Sequence, residues 1–242
     1  MSRGRHAVLD GAVRRLAVER GNRGRMDTPP TAITQPEDPR YSGWAQIERV
    51  AQVHYLLRPQ LERTLDTMLI TPEGKAFNGG HDTYGAYWRA SFGDRYFDMG
   101  TAQRLGTAIE TGLRYYHKGM AQPDRAAEVA RHSRGIFQRL VQPDELVKLF
   151  RTDCSVDLST NPAWRRVREI MVHRHLFAHR SGLVDEKYLT DLHNLTGSDL
   201  RPTIEAYGYP DEDVYWFAPL DRLGELIESA RIFFLHLPHS NA

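Results

Sequence analysis

The chain has 242 residues, a length that allows one large domain or one domain with an extension. Hydrophobic residues make up 40% of it and charged residues 26%, so it contains enough apolar residues for a sizeable core. The formal net charge of +1 excludes a strongly basic chain, so any contact with nucleic acid has to depend on a local basic patch. The single cysteine, Cys154, excludes an intrachain disulfide and a cysteine-based zinc site, and we expect a cytoplasmic protein. No apolar run approaches the roughly 20 residues of a membrane-spanning helix, so we expect no membrane partner.

Residues 1–40 form a basic, proline-rich segment that we expect to be disordered, because its apolar content is low. Its first 25 residues contain seven arginines, and Met26 follows them directly. Two interpretations stay open. The segment is either a basic arm that contacts RNA phosphates, or an unfolded tail that precedes a true start at Met26.

Residues 41–96 are expected to form an N-terminal extension that is first helical and then irregular. From Tyr41 to Ile70 the apolar residues recur at helical spacing, and Pro59 should kink or split that helix. Residues 71–98 are rich in glycine and aromatic residues, which favours an irregular connection or short strands.

The rest of the chain, residues 97–237, is predicted to be a helical domain. Its connections favour antiparallel packing of neighbouring helices, so the predicted fold class is an all-α, antiparallel helical bundle. A loop or short hairpin is expected at residues 207–217. Amphipathic patterns and end signals place helices at residues 99–119, 123–141, 143–150, 162–181, 185–195 and 220–237.

The sharpest local feature is the segment Arg174–His179, at the end of one of these predicted helices. A helix C-terminus favours a positive imidazole, which titrates near neutral pH, so His179 suits proton transfer. Arg174 can hold a phosphate and stabilise the charge of a pentavalent transition state. RNA supplies its own nucleophile, the 2′-hydroxyl, so this chemistry requires no metal ion.

Arg174 and His179 lie roughly 140° apart on an ideal helix and therefore do not share a face. Their convergence on one phosphate requires either a loosened last turn or partner residues from a second subunit. We therefore expect a homodimer with this helix end at its interface.

The segment Arg174–His179, continued by Arg180–Tyr188, resembles the signature of the HEPN superfamily, in particular its RiboL-PSP-type and abortive-infection-type ribonucleases. That signature is an arginine, a polar residue, and a histidine after four to six intervening residues. The resemblance covers residues 97–237. It implies a dimeric, metal-independent endoribonuclease in a toxin, stress or phage-defence setting, with RNA as substrate, no cofactor, and an antitoxin or regulatory protein as a further partner.

The resemblance also implies roles for individual residues. His179 would be the general acid/base, Arg174 the phosphate and transition-state binder, and His175 a positioning residue of the same catalytic set. A toxin subgroup of the family has a tyrosine where this chain has Ser181, which argues against membership of that subgroup. Further candidates are Arg180 and Lys187 for RNA binding and Glu110 as a supporting acid on an earlier helix.

Two alternatives to cleavage stay open: a non-catalytic HEPN-like module that binds RNA, a nucleotide or a protein, and an interaction protein with no nucleic-acid role. His175 and His179 share a helix face but would need a third ligand to hold zinc, so we expect no metal. Arg174 and His179 side chains that are both accessible and meet their symmetry mates across a cleft of positive potential would favour cleavage. Side chains that are buried and paired with acids of the same chain would argue against cleavage, and a dimer interface built elsewhere would favour the interaction protein.

Overall fold

The computed structural model describes residues 32–70, 83–121, 127, 143–180, 182, 184–197 and 222–239, and for residues 65–70 and 83–96 it describes the backbone alone. These residues form helices and no strand, which confirms the all-α class for the described part of the chain. A short 3₁₀ helix spans Leu158–Thr160. The helices are α1 (Tyr41–Ile70), α2 (Thr83–Met120), α3 (Pro143–Cys154), α4 (Trp164–Arg180), α5 (Glu186–Thr196) and α6 (Leu223–Leu235).

Helix α2 begins at Thr83, so the prediction of an irregular or stranded segment is wrong for residues 83–98. Glycine in a helix costs about 1 kcal/mol, and two glycines in this stretch favoured the wrong assignment. The helical signal was present, because aromatic residues recur at intervals of three or four at positions 84, 87, 88, 92 and 96. The predicted domain boundary near residue 97 falls inside this helix. Residues 71–82 lie outside the described part of the chain.

Helix α1 continues through Pro59, so of the two predicted effects, a kink or a split, this proline does not split the helix. A proline inside a helix removes one backbone donor and leaves the carbonyl four residues earlier without its usual partner. Pro59 is exposed, so water can reach this side of the helix and compensate for the missing donor.

Residues 33–40 were assigned to a disordered segment, but they make defined contacts. The Arg40 guanidinium donates hydrogen bonds of 3.1 Å to the carbonyl oxygens of Leu235 and Leu237, which lie at the end of α6. The Leu235 oxygen is at the last residue of α6 and has no partner within that helix, so the contact caps α6. The seven arginines lie within residues 1–31, outside the described residues, and both interpretations of them stay untested.

Helix α2 lies at the centre of the core and packs against α1 and α4, while α6 packs against the same two helices. The amphipathic pattern predicted for residues 99–119 is confirmed, since Leu105, Ile109 and Leu113 lie on one face of α2 and are fully buried. Each such side chain contributes about 1.5–3 kcal/mol by leaving water. The backbones of α1 and α2 meet at Gly43 and Gly112, where a Cβ atom on either residue would overlap its neighbours.

The short connection between α4 and α5 follows the predicted end signals. Gly182 has a left-handed backbone with φ of 85°, and its N–H donates to the carbonyl of Leu176 at 3.4 Å, which terminates α4. The Asp185 carboxylate accepts a hydrogen bond of 2.8 Å from the backbone N–H of Tyr188 and caps the start of α5. The end of α4 and the first turn of α5 are therefore held close together.

The predicted helix at residues 123–141 and the predicted loop at 207–217 lie outside the described residues, apart from residue 127, which is helical. Within the described part of the chain, no helix combines the length and the apolar character that crossing a membrane requires.

Candidate functional site

Helix α4 carries the Arg174–His179 segment and is oriented by its buried face. Val167, Ile170, Leu176 and Phe177 point into the core and are at most 3% exposed. The opposite face, which includes His175, is therefore turned toward α5 and solvent.

A buried polar network fixes α4 against α5. The ring Nδ1 of His173 lies 3.1 Å from the Tyr188 hydroxyl, and its Nε2 lies 3.8 Å from a carboxylate oxygen of Glu169. Burial acts to raise the pKa of Glu169, but the nearby His173 ring and the hydrogen bond from the Arg166 guanidinium outweigh it and lower that pKa to about 2. Sequence analysis did not assign this role to His173. Its one local signal was the spacing of four residues between Glu169 and His173.

Arg174 extends from α4 across the surface of α2. Its Nη2 atom lies 3.0 Å from Oε2 of Glu110, and the two side chains are 24% and 1% exposed. The aliphatic part of Arg174 crosses Gly106, one turn before Glu110. A Cβ atom at Gly106 would lie 2.5 Å from Cδ, 2.9 Å from Cβ and 3.0 Å from Cγ of Arg174. The missing side chain at Gly106 therefore provides the space in which Arg174 lies.

Glu110 is an acid in an environment that resists its ionisation. Burial raises its pKa, the charges of Arg174 and Arg114 act in the opposite direction, and the result is a pKa of about 7. Although Nη2 of Arg174 is near, the buried Oε2 atom accepts no well-directed hydrogen bond. The negative charge is thus only partly compensated, which is why burial dominates.

His175 and His179 lie one helical turn apart, and their rings contact each other with a centroid separation of 4.8 Å. His175 is half-buried and His179 is exposed. Burial lowers the pKa of His175, and the nearby positive charges of His179 and Lys187 lower it further. His175 is therefore biased toward its neutral form at pH 7, in which one ring nitrogen can accept a proton.

A cleft of about 190 Å³ lies between α4 and α5. Arg174 and Glu110 line one part of it, and His175 lies in its wall, whereas His179 is not among its lining residues. Four cationic side chains line this cleft together with the acids Glu110, Asp185 and Asp191; these cations are Arg168, Arg174, Arg180 and Lys187.

Two of these cations form exposed ion pairs with neighbouring acids. Arg180 Nε lies 3.5 Å from a carboxylate oxygen of Asp185, and the Lys187 ammonium pairs with Asp191 one turn further along α5. Exposed pairs of this kind contribute roughly 0–1 kcal/mol, so both cations can exchange their partners for a ligand. Their predicted role in RNA binding stays a prediction.

Comparison with protein-family models, curated proteins and solved structures found no match for this chain. The proposal of a function therefore rests on the sequence and on the chemistry of the cleft.

The residues that sequence analysis selected are only partly brought together. Arg174, His175, Arg180, Lys187 and Glu110 share the cleft, while His179 lies outside its lining. The exposure of the two side chains gives opposite indications. His179 is exposed, which favours cleavage, whereas Arg174 is paired with an acid of its own chain, which argues against it.

Two cleft features were missed from the sequence. Gly106 gave no signal, because its importance depends on the approach of another helix, and Arg168 was not distinguished from the other arginines of α4. Among the described residues, no three His, Cys, Asp or Glu side chains are grouped so that they could hold a metal ion.

Proposed function

We propose that this chain is a metal-independent endoribonuclease of HEPN type, in which an RNA 2′-hydroxyl attacks the adjacent phosphorus. The observation that supports this best is the position of Arg174 and His175 in the wall of one cleft, with the His179 ring against that of His175. A guanidinium and two imidazoles are the groups that phosphate binding and proton transfer require.

Arg174 binds the scissile phosphate in this proposal. Its guanidinium is held next to Glu110, but the raised pKa of Glu110 means that the two are not a fully ionised pair near neutral pH. A phosphate oxygen can therefore compete for the guanidinium as Glu110 takes up a proton. Because Arg174 is 24% exposed, its outer donors are within reach of a ligand in the cleft.

The two histidines divide the proton transfers. Neutral His175 accepts the proton of the 2′-hydroxyl as the new oxygen–phosphorus bond forms, and protonated His179 donates a proton to the departing 5′-oxygen. The products are a 2′,3′-cyclic phosphate and a 5′-hydroxyl, so atoms and charge balance without a metal or water. The lowered pKa of His175 suits the accepting role.

Because His179 lies outside the lining of the cleft, a second subunit has to bring it to the reacting phosphate. We therefore propose a homodimer in which the ends of two α4 helices face each other. The helices of each subunit would form an antiparallel bundle, with Arg180 and Lys187 holding the RNA on either side of the reacting phosphate. A toxin or phage-defence setting, with control by an antitoxin or regulatory protein, follows from the HEPN resemblance.

The test is cleavage of a labelled RNA by purified protein in excess EDTA. Wild type should cleave, and His175→Ala, His179→Ala and Arg174→Ala should each lose at least about 100-fold in rate. His193→Ala is the matched control, because this exposed histidine of α5 does not line the cleft. Light scattering on the same samples measures the dimer. Cleavage that EDTA abolishes, or that all three variants retain, would refute this mechanism.

A non-catalytic module that binds RNA, a nucleotide or a protein is the second candidate. It is favoured by the pairing of Arg174 with Glu110 in the same chain. Wild-type protein that binds a labelled RNA, and loses that binding on Arg174→Ala, but cleaves no RNA would decide for this candidate.

A further inference from the structure

We propose that the Arg168 end of the cleft binds a second phosphate of a single-stranded RNA, next to the phosphate that Arg174 holds. This inference rests on the proposed function, because it extends the same cleft by one nucleotide. It assigns to Arg168 a part in substrate binding and not in the chemical step.

The position of Arg168 on α4 supports this assignment. Arg168 and His175 are seven residues apart, so they lie on the same face of the helix and about 10 Å apart along its axis. Both line the cleft, with Met171 and Val172 between them. A strand whose reacting phosphate lies near His175 would therefore run along α4 toward Arg168.

Arg168 lacks an ion-pair partner in the described part of the chain, and this points to a ligand. Arg168 is half-buried, and among the described residues it forms neither a hydrogen bond nor an ion pair. The other three cations of the cleft are each paired with an acid: Arg174 with Glu110, Arg180 with Asp185 and Lys187 with Asp191. A phosphate next to Arg168 would gain a charge-assisted contact without displacing an existing partner.

The shape of the cleft selects a single strand. A cleft of about 190 Å³ between two helices is smaller than a pair of nucleotides, so it can hold the backbone of one strand whose bases turn outward or toward α5. Asn194 lines the α5 side, and its amide offers both donors and an acceptor to a base edge. The substrate class is therefore unpaired RNA, such as a loop or a single-stranded end.

The experiment measures binding separately from cleavage. The probe is a fluorescent 2′-O-methyl oligoribonucleotide of eight nucleotides. Its methylated 2′-oxygens cannot attack the phosphorus, so the protein binds it without cleaving it. Fluorescence anisotropy gives Kd at several salt concentrations. Arg168→Gln should weaken binding on the order of fivefold and reduce the slope of log Kd against log salt by about 0.7, the value for one phosphate contact on a single strand. Arg168→Lys, which keeps the charge, should retain most of that slope.

Arg49→Gln is the matched control, because Arg49 is an exposed arginine of α1 outside the cleft. A dinucleoside monophosphate, with only one phosphate, should bind equally to wild type and Arg168→Gln. The proposal is overturned if Arg168→Gln and Arg49→Gln have the same effect, if the dinucleotide loses as much affinity as the octamer, or if wild type binds the octamer no better than a duplex. Octamer binding with the expected slopes but no RNA cleavage would support the second phosphate site and refute the proposed catalysis.

Discussion

Replacement of Glu110 by glutamine should change how the stability of the protein depends on pH. Glu110 ionises at a pKa of about 7 in the folded chain, compared with its ordinary value of 4.5. The folded state therefore holds a proton that the unfolded state releases between these two values. The stabilisation from protonated Glu110 is fully present below pH 4.5 and is lost as the pH rises through about 7.

The size of this effect follows from the difference between the two pKa values, which corresponds to roughly 3 kcal/mol. Wild type should lose about that much unfolding free energy between pH 4.5 and pH 8 through this group. Glu110→Gln has nearly the same shape but no ionisable proton, so it should lose none of it. At pH 8 the variant should thus be more stable than wild type, although it no longer forms the ion pair with Arg174.

Urea unfolding followed by circular dichroism at pH 5, 6, 7 and 8 measures both proteins, with Glu37→Gln as the control because Glu37 is exposed. The contribution of His175 to the pH dependence of stability has the opposite sign. Its lowered pKa gives stability that is present above pH 6.5 and lost on acidification. Both proteins keep His175, so this contribution cancels in the difference. Parallel pH profiles for wild type and Glu110→Gln would refute the conclusion that buried Glu110 is incompletely compensated.

Two further substitutions test the geometry around the cleft. Gly106→Ala should destabilise the protein by about 1–3 kcal/mol, since the new Cβ would overlap the Arg174 side chain. Arg174→Ala should relieve part of that cost in a double-mutant cycle measured by urea unfolding, because it removes Cδ and Cγ but keeps the Cβ atom 2.9 Å away. Gly100→Ala, in the same helix with open space around it, should stabilise by up to about 1 kcal/mol, and equal effects of the two alanines would contradict the packing described here. Asp185→Ala should cost about 1 kcal/mol in thermal unfolding through loss of its cap on the Tyr188 N–H, whereas Asp185→Asn, which keeps an acceptor, should cost less. Both variants lose the carboxylate charge, so equal costs would show that the charge and not the acceptor stabilises this helix start.

Local signals predicted the helices that carry the site. The predicted ranges 162–181 and 185–195 lie close to the observed helices, because Gly182 terminates α4 and Asp185 caps the start of α5, and both effects extend over only a few residues. The start of α2 was missed because glycines and aromatic residues in residues 83–98 suggested a loop, while the helical spacing of the aromatics was the stronger signal. Competing local preferences of this kind are resolved by packing, which no short window of sequence contains.

The sequence by itself determined the helical class of the described residues and the presence of a guanidinium and two imidazoles at the end of one helix. It also limited Arg174 and His179 to different faces of that helix, because this follows from the helical repeat alone. Only the tertiary structure decided that Arg174 crosses Gly106 to reach Glu110, and that His175 rather than His179 lines the cleft. These contacts join α2, α4 and α5, and they depend on how closely the helices approach and at which residues they cross. Those quantities are set by the packing of the whole core and not by the residues on either side of each position.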